Sequence, residues 1–314
     1  MNEASLVATL SAPPNGELGA LRAAVRGLEV RADLAGHLDA DWLRDRFAGE
    51  LTYSLRSQAE GGAFEGSLDE RRRLLLAAAR RFDLVEVGES DLEPELLAGI
   101  LPAQRLASWS GAVVDLGGLQ EAWERLSRIP ARLYRLAVRT ERPQDALGVL
   151  RWLRALGRRD VTAFATGPAG TWTRLLAPRL GAPVAFGHLG DAEGTGELTV
   201  AQLATDYGLP ALRPLERTFG IAGRVVSRSL SPRLHNAAYR ELGLPAFYLP
   251  FQVDGFAAFW REAAAGLEEL GWPLRGLTVT SPYKEEALAL AGEASSLARQ
   301  AGSANTLLRR RGLW

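Results

Sequence analysis

Leu28-Glu29-Val30-Arg31-Ala32-Asp33 alternates apolar and charged side chains without a break. A strand's period of two puts Glu29, Arg31 and Asp33 on one face, with Leu28, Val30 and Ala32 on the other. Charge on an inner face near a strand's C-terminal end marks the active site of a (β/α)8 barrel. An internal layer of salt bridges is the other reading. Outward from this stretch, short apolar runs recur at Leu6–Leu10, Leu51–Ser57, Leu84–Val87, Arg105–Trp109, Arg132–Val138, Val161–Thr166 and Val184–His188. Helical periodicity fills most of the gaps, as at Leu68–Arg81, Gln144–Leu156 and Thr199–Tyr207. Eight strands, each followed by a helix, in roughly 210 residues predict an α/β fold, a (β/α)8 TIM barrel near its lower size limit. An open doubly wound sheet competes, since spacing does not show closure.

The whole chain has 314 residues, with 37 Lys+Arg against 37 Asp+Glu. That length suggests two units, and zero net charge gives no reason to expect nucleic acid or an anionic membrane as partner. An apolar fraction of 47% with 24% charged residues is that of a soluble globular protein. No apolar run approaches the ~20 residues that span a bilayer, and the N-terminus lacks a basic region followed by an apolar one, so a cytoplasmic location is expected. The absence of cysteine excludes disulfides, thiolate-held zinc, iron–sulfur clusters and a thiol nucleophile, and no metal is expected. Lys284 is the sole lysine, leaving 36 of the 37 cations as arginine. Any reaction that needs an amine to form an imine or lose a proton must use it. Histidine is limited to His37, His188 and His235.

Leu28–Asp33, followed by Leu55-Arg56-Ser57-Gln58-Ala59-Glu60-Gly61-Gly62, resembles the Glu-x-Arg-x-Asp and Arg-x-x-x-Glu-Gly-Gly segments of type I 3-dehydroquinate dehydratase. Ala165–Arg174 is similar to the same family's later Met-Gly…Gly…Ser-Arg segment. The resemblance runs over about residues 5–210 in the expected order. It implies a barrel in which a lysine forms an imine with the substrate ketone while a histidine serves as acid and base. At the matching positions stand Arg135, in Tyr134-Arg135-Leu136-Ala137, and Ser110, in Ser108-Trp109-Ser110. The family's Ser-x-Pro-Gly-Gln loop becomes Glu193-Gly194-Thr195-Gly196-Glu197. A guanidinium stays protonated and cannot form an imine, and residues 1–283 contain no lysine. The expectation is a catalytically silent barrel whose vestigial site comprises Glu29, Arg31, Arg56 and Arg174. Its arginines either retain carboxylate binding or pair with Glu29 and Glu60.

Leu209-Pro210-Ala211-Leu212-Arg213-Pro214 reads as a linker, dividing the chain at 1–212 and 213–314. Beyond it, strands at Phe219–Ala222, Phe247–Val253, Leu277–Thr280 and Ala304–Leu308 alternate with helices at Pro232–Leu242, Phe256–Leu270, Pro282–Leu290 and Ser295–Ala301. Ser231-Pro232 and Ser281-Pro282 each place a serine at an N-cap and a proline at the first helical position. Two helix N-termini converging on one spot would attract an anion. Lys284, in the first turn of its helix, would have its pKa lowered by the macrodipole and suit acid–base work. An ordinary surface lysine is the plainer alternative.

Gly223–Asn236, containing Ser229-Leu230-Ser231-Pro232, together with Gly276-Leu277-Thr278-Val279-Thr280-Ser281-Pro282-Tyr283-Lys284 and Gly302-Ser303-Ala304-Asn305-Thr306, resembles the substrate-binding domain of shikimate dehydrogenase. The resemblance implies that Ser229 and Ser231 bond the shikimate carboxylate, Thr280 and Asn305 hold ring hydroxyls, and Lys284 is the catalytic lysine. Arg228, Val225 and Thr278 depart from the family's histidine, proline and asparagine. His235 and Asn236 are expected to pack or cap the helix. In this family an Asn-Thr-Asp segment and an NADP-binding Rossmann domain follow, whereas this sequence stops at Trp314 and contains no Gly-x-Gly-x-x-Gly. The order of the two resemblances is that of fused dehydratase–dehydrogenase proteins of the shikimate pathway. Three readings follow: the front part of such a protein, inactive by itself; a non-enzymatic binder of shikimate or 3-dehydroshikimate; or an active dehydratase using other groups.

Overall fold

A computed structural model describes residues 4–14, 18, 21, 24–91, 93–112, 116–190, 197–310 and 314. Two sheets organise them. The first is built from β1 (Ser5–Leu10), β2 (Val25–Arg31), β3 (Glu50–Ser54), β4 (Leu84–Val87), β5 (Arg105–Ala112), β6 (Leu133–Arg139), β7 (Val161–Thr166) and β8 (Val184–His188). Their order is β7-β6-β5-β4-β3-β2-β1-β8, with parallel pairing throughout. The β1–β8 ladder wraps the sheet round into a barrel. Among the described residues no ladder joins β7 to β8, where the Thr162 hydroxyl instead donates to the Val184 carbonyl at 3.3 Å. All eight strands lie where apolar runs predicted them.

The helices of this unit are α1 (Ala32–Ala35), α2 (Ala40–Arg44), α3 (Leu68–Ala78), α4 (Pro94–Gly99), α5 (Leu116–Leu126), α6 (Pro143–Leu156), α7 (Thr173–Leu176) and α8 (Val200–Thr205). In α3, the Ser67 hydroxyl caps the first turn, and Arg71, Leu75 and Ala78 form the buried stripe that the i, i+4, i+7 spacing dictates. Asp33 departs from the period-two reading of its strand. The backbone turns helical at Ala32, so Asp33 sits in the first turn of α1 and meets Arg31 end-on.

Strand side chains facing the barrel axis form an apolar plug of Val7, Leu106, Phe164, Val184 and Phe186. Those facing the helices belong to a core that runs on into the second unit. That unit comprises β9 (Arg217–Gly223), α9 (Ser231–Glu241), β10 (Ala246–Gln252), α10 (Phe256–Glu269), β11 (Leu274–Val279), α11 (Lys284–Leu290), α12 (Ser296–Ala301) and β12 (Thr306–Leu308). Its strand order is β10-β9-β11-β12, parallel except for β12. The first connection leaves β9 toward one side and the next crosses to its other side, which opens a crevice at the C-terminal end of β9.

The junction between the units is packed rather than loosely strung. Trp172, fully buried, meets Phe251 edge-on with ring centroids 5.4 Å apart. Helices α6 and α10 lie against each other so closely that a Cβ on Gly266 would stand 1.8 Å from Leu147 Cδ2. Leu209, within the proline-bearing connection, is itself buried.

Both serine–proline helix starts differ from expectation. Ser231 is the first residue of α9, and the Ser229 hydroxyl accepts its N–H at 3.2 Å. The stop for the helix thus comes from two residues upstream. After β11, the Tyr283 N–H closes a turn on the Thr280 carbonyl at 3.2 Å. That turn occupies Ser281 and Pro282, so α11 begins only at Lys284.

Candidate functional site

At the middle of the barrel two carboxylates face two guanidiniums. Glu29 on β2 is 1% exposed. It accepts from the Thr9 and Ser54 hydroxyls at 2.8 Å each, from Arg135 at 2.6 Å and from Arg56 at 3.4 Å. Glu86 on β4 accepts from the Arg56 Nε at 3.0 Å, from the Ser108 hydroxyl and from the second arm of Arg135. Arg135, at 3% exposure, also lies 4.7 Å over the Phe186 ring, so the apolar plug is its floor. Burial pushes both glutamates toward the neutral acid, but Arg135 and Arg56 outweigh it. Glu29 is held at about 2 and Glu86 well below the usual carboxylate range. The cluster is electrically closed, two charges of each sign, with Arg135 at its centre.

The other arginines at the barrel mouth also meet partners within the chain. Arg31 forks onto Asp33 at 2.9 and 2.7 Å, and Asp33 further accepts the Ala63 N–H at 3.1 Å. Arg174 on α7 donates to the Phe186 carbonyl at 3.0 Å and to Glu197 at 3.4 Å, while its guanidinium lies 4.4 Å over Phe164. Neither they nor Arg56 pairs with Glu60, which bonds Arg71 at 2.8 Å and closes a capping box with Ser57. Of the expected partners only Glu29 is met, by Arg56, which also pairs with Glu86, while Arg31 pairs with Asp33 and Arg174 with Glu197. His188 stands beside Thr9 in the sheet register and hydrogen-bonds Glu197. Residues 193–196 of the loop read against the dehydratase pattern lie outside the described residues.

The second constellation gathers where β9 and β11 end. Thr280 N–H donates to the Ala222 carbonyl at 2.9 Å and Arg224 N–H to the Ser281 carbonyl at 3.2 Å, which ties the turn after β11 to the loop after β9. Gly223 is needed at this crossing, because a Cβ there would sit 2.2 Å from Thr280 Cγ2. Ser229 closes a turn through its N–H to the Val226 carbonyl at 3.0 Å, and its hydroxyl accepts the N–H of the first residue of α9. Lys284 is exposed at the start of α11, and its carbonyl accepts the Ala304 N–H at 2.8 Å. Asn305 presents its carbonyl to the Val279 N–H at 2.8 Å. Ser229, Ser231, Thr280, Lys284 and Asn305 thus share one end of the sheet. Lys284 and Asn305 line an open depression of about 940 Å³ between α11, α12 and β12, in which the serines and Thr280 take no part.

One residue of this site escaped the sequence reading. The Tyr248 hydroxyl donates to Thr278 Oγ1 at 2.8 Å and so reaches across the end of β9. Its ring stacks on His235 at 4.3 Å and 2°, and Asn236 exchanges two hydrogen bonds with its backbone, at 2.8 and 3.0 Å. Asn236 is buried, whereas His235 is exposed with its ring laid against Tyr248. Strand β10 is buried on both faces, so no alternation could single Tyr248 out.

Comparison with known proteins follows the same division. Residues 17–212 match the family model described as type I 3-dehydroquinase, and residues 221–307 the one described as shikimate dehydrogenase substrate binding domain. A chloroplastic bifunctional 3-dehydroquinate dehydratase/shikimate dehydrogenase of Arabidopsis thaliana is 26% identical over 310 residues, which cover 90% of this chain and 49% of that protein. The shikimate dehydrogenase (NADP(+)) of Caulobacter vibrioides is 46% identical over 91 residues, 28% of this chain and 30% of its own. Among solved structures, dehydroquinate dehydratase and shikimate dehydrogenase from S. pombe AroM superposes with a TM-score of 0.51 at 22% identity, covering 99% of this chain and 63% of that one. A type I 3-dehydroquinate dehydratase from Clostridium difficile gives 0.57 at 17% identity over 67% of this chain and 93% of its own. These structural likenesses show the fold. The chain spans about half the length of the plant protein it matches.

Proposed function

The chain belongs to the type I 3-dehydroquinase family through its barrel, and on that premise we propose that the barrel is catalytically silent and that substrate is held by the second unit. The single observation that carries the first half is Arg135 locked between Glu29 and Glu86. Imine chemistry at that position needs an amine that can shed its proton, and the guanidinium there is permanently charged and paired with both carboxylates. Glu29, Arg31, Arg56 and Arg174 act in this reading as the walls of an internal ion layer. We place the division between the units at 212/213, between α8, which closes the barrel's last strand–helix pair, and the start of the second sheet.

Residues 221–307 form a shikimate dehydrogenase substrate-binding domain. The ligand we assign to it is shikimate or 3-dehydroshikimate, its carboxylate on Ser229 and Ser231 and its ring hydroxyls on Thr280 and Asn305. Lys284, exposed beside Asn305, would hold or move the proton of the hydroxyl undergoing oxidation. Tyr248 orients Thr278. NADP is the redox partner that this family implies. The described residues do not fit it: the loop after β9 begins Gly223-Arg224-Val225, without the paired glycines that let a backbone approach a pyrophosphate, and the remaining sheet is the barrel. No hydride step is assigned to this chain.

Two measurements test the two halves separately. Borohydride reduction in the presence of 3-dehydroquinate should leave residues 1–212 unlabelled, and a trapped adduct there would refute the silent barrel. Shikimate should raise the melting temperature by mass action, and Ser229→Ala or Lys284→Met should abolish the rise. An unmoved melting temperature at millimolar shikimate would sink the assignment of the second unit.

A further inference from the structure

A small cavity of about 130 Å³ lies in the seam between the units, lined by Arg179, Arg213 and Arg240 together with Tyr207, Gly208 and Phe247. At ~30 Å³ per water it has room for roughly four waters. Three arginines therefore line one small space, and among the described residues all the hydrogen bonds of their guanidiniums go to main-chain carbonyls. Arg179 donates to the Arg213 carbonyl at 2.5 Å, Arg213 to the Arg240 carbonyl at 2.7 Å, and Arg240 to the carbonyls of Asp206 and Thr205 at 3.1 and 2.7 Å. Each guanidinium has five N–H donors, so most remain available.

Among the described residues no carboxylate pairs with any of the three. Asp206 attracts Arg240, but its own carboxylate accepts from the Thr205 hydroxyl at 2.9 Å and faces Arg233 at 3.8 Å. The Nε of Arg179 is buried with no acceptor at all. Its guanidinium lies over the Phe247 ring at 5.2 Å, and burial lowers its pKa to about 10, still leaving it charged at neutral pH. Gly208, at φ +74, gives passage to the Arg240 side chain, whose Cδ lies 3.1 Å from where a Cβ would be. Everywhere else in the barrel, a buried arginine meets a carboxylate or has its three donating nitrogens on carbonyls, as Arg105 does on Ile100, Pro130 and Leu97. Here no such complement stands among the described residues.

We propose that this seam cavity is a binding site for a small oxyanion, of the phosphate or carboxylate kind, gripped jointly by Arg179 from the barrel and by Arg213 and Arg240 from beyond it. An oxyanion supplies the acceptors that Arg179 Nε lacks and offsets the repulsion between Arg213 and Arg240. Because its contacts come from both sides of the seam, binding would also clamp the two units together.

The test is a melting-temperature titration of the full chain at pH 7, with ionic strength held constant by sodium chloride. Inorganic phosphate and malonate are titrated separately, and the one that saturates at lower concentration names the ligand chemistry. A saturable rise of about 2–4 °C is expected at ten times the dissociation constant. Arg179→Gln should remove it. Arg213→Gln, on an exposed side chain with one hydrogen bond, should preserve the fold and weaken binding at least tenfold, which decides the matter if the first variant does not fold. Arg128→Gln, an exposed arginine elsewhere on the barrel, should leave the titration unchanged. A rise no greater than that of chloride for both anions, or one that survives in both seam variants, would overturn the proposal.

Discussion

Arg135 stabilises two buried carboxylates at once, so its removal leaves both uncompensated. Arg135→Met should destabilise the protein by about 3–5 kcal/mol, measured by urea unfolding at pH 7. The same cluster sets the acid limit. Glu29 falls from its ordinary 4.5 to about 2 and Glu86 is lowered too. Depressed carboxylates contribute stability above their unfolded values, and that stability is lost as pH falls from about 4.5 toward 2. In Arg135→Met the loss should begin at higher pH, visible by circular dichroism. That residues 1–283 offer no amine side chain was legible from the sequence alone. The partnership with Glu86 was not, because one carboxylate in a four-residue buried strand produces no period to read. Nor was Arg31's turn onto Asp33, which depends on the backbone leaving the strand two residues earlier than alternation implied.

Helix α3 is fastened to the strand ends by Arg71, whose guanidinium bonds Glu60 at 2.8 Å, Asp91 at 3.0 Å and the Leu55 carbonyl at 3.1 Å. Burial raises Asp91 from 3.8 to about 6 against the pull of Arg71 and the Gly88 N–H. The folded state therefore holds this proton more tightly than the unfolded chain, and the stability it contributes is lost as pH rises from 3.8 to about 6, opposite in sign to Glu29. Asp91→Asn should remove that penalty, gaining on the parent across this window by as much as about 3 kcal/mol at ~1.4 kcal/mol per pKa unit. Denaturation at pH 4, 5 and 6 would show it, and parallel stability curves would contradict it. Strands and long helices were legible because burial imposes their periods over several residues. The starts of α9 and α11 were not, since a serine–proline pair fits a helix cap and a tight turn equally well, and only the strand it follows decides between them.

Across the whole molecule, the packing of Trp172 on Phe251 and of α6 on α10 merges two cores that the proline-rich connection had suggested were separate. Calorimetry should record one transition for the entire chain. Trp172→Ala, creating a cavity at the seam, should cost about 3–5 kcal/mol and split that transition in two, whereas an unchanged single transition would argue that the contact carries little coupling. The shared core bears on inheritance as well. On the proposed reading, a barrel without chemistry would ordinarily be free to vanish by deletion, yet losing it would uncover Phe251 and the Gly266 face of α10 to water. An exposed apolar surface of that kind drives aggregation. Selection for a soluble product would then preserve the barrel's fold long after it had ceased to preserve its catalytic side chains, and its genes should tolerate change at the mouth far more readily than along the seam.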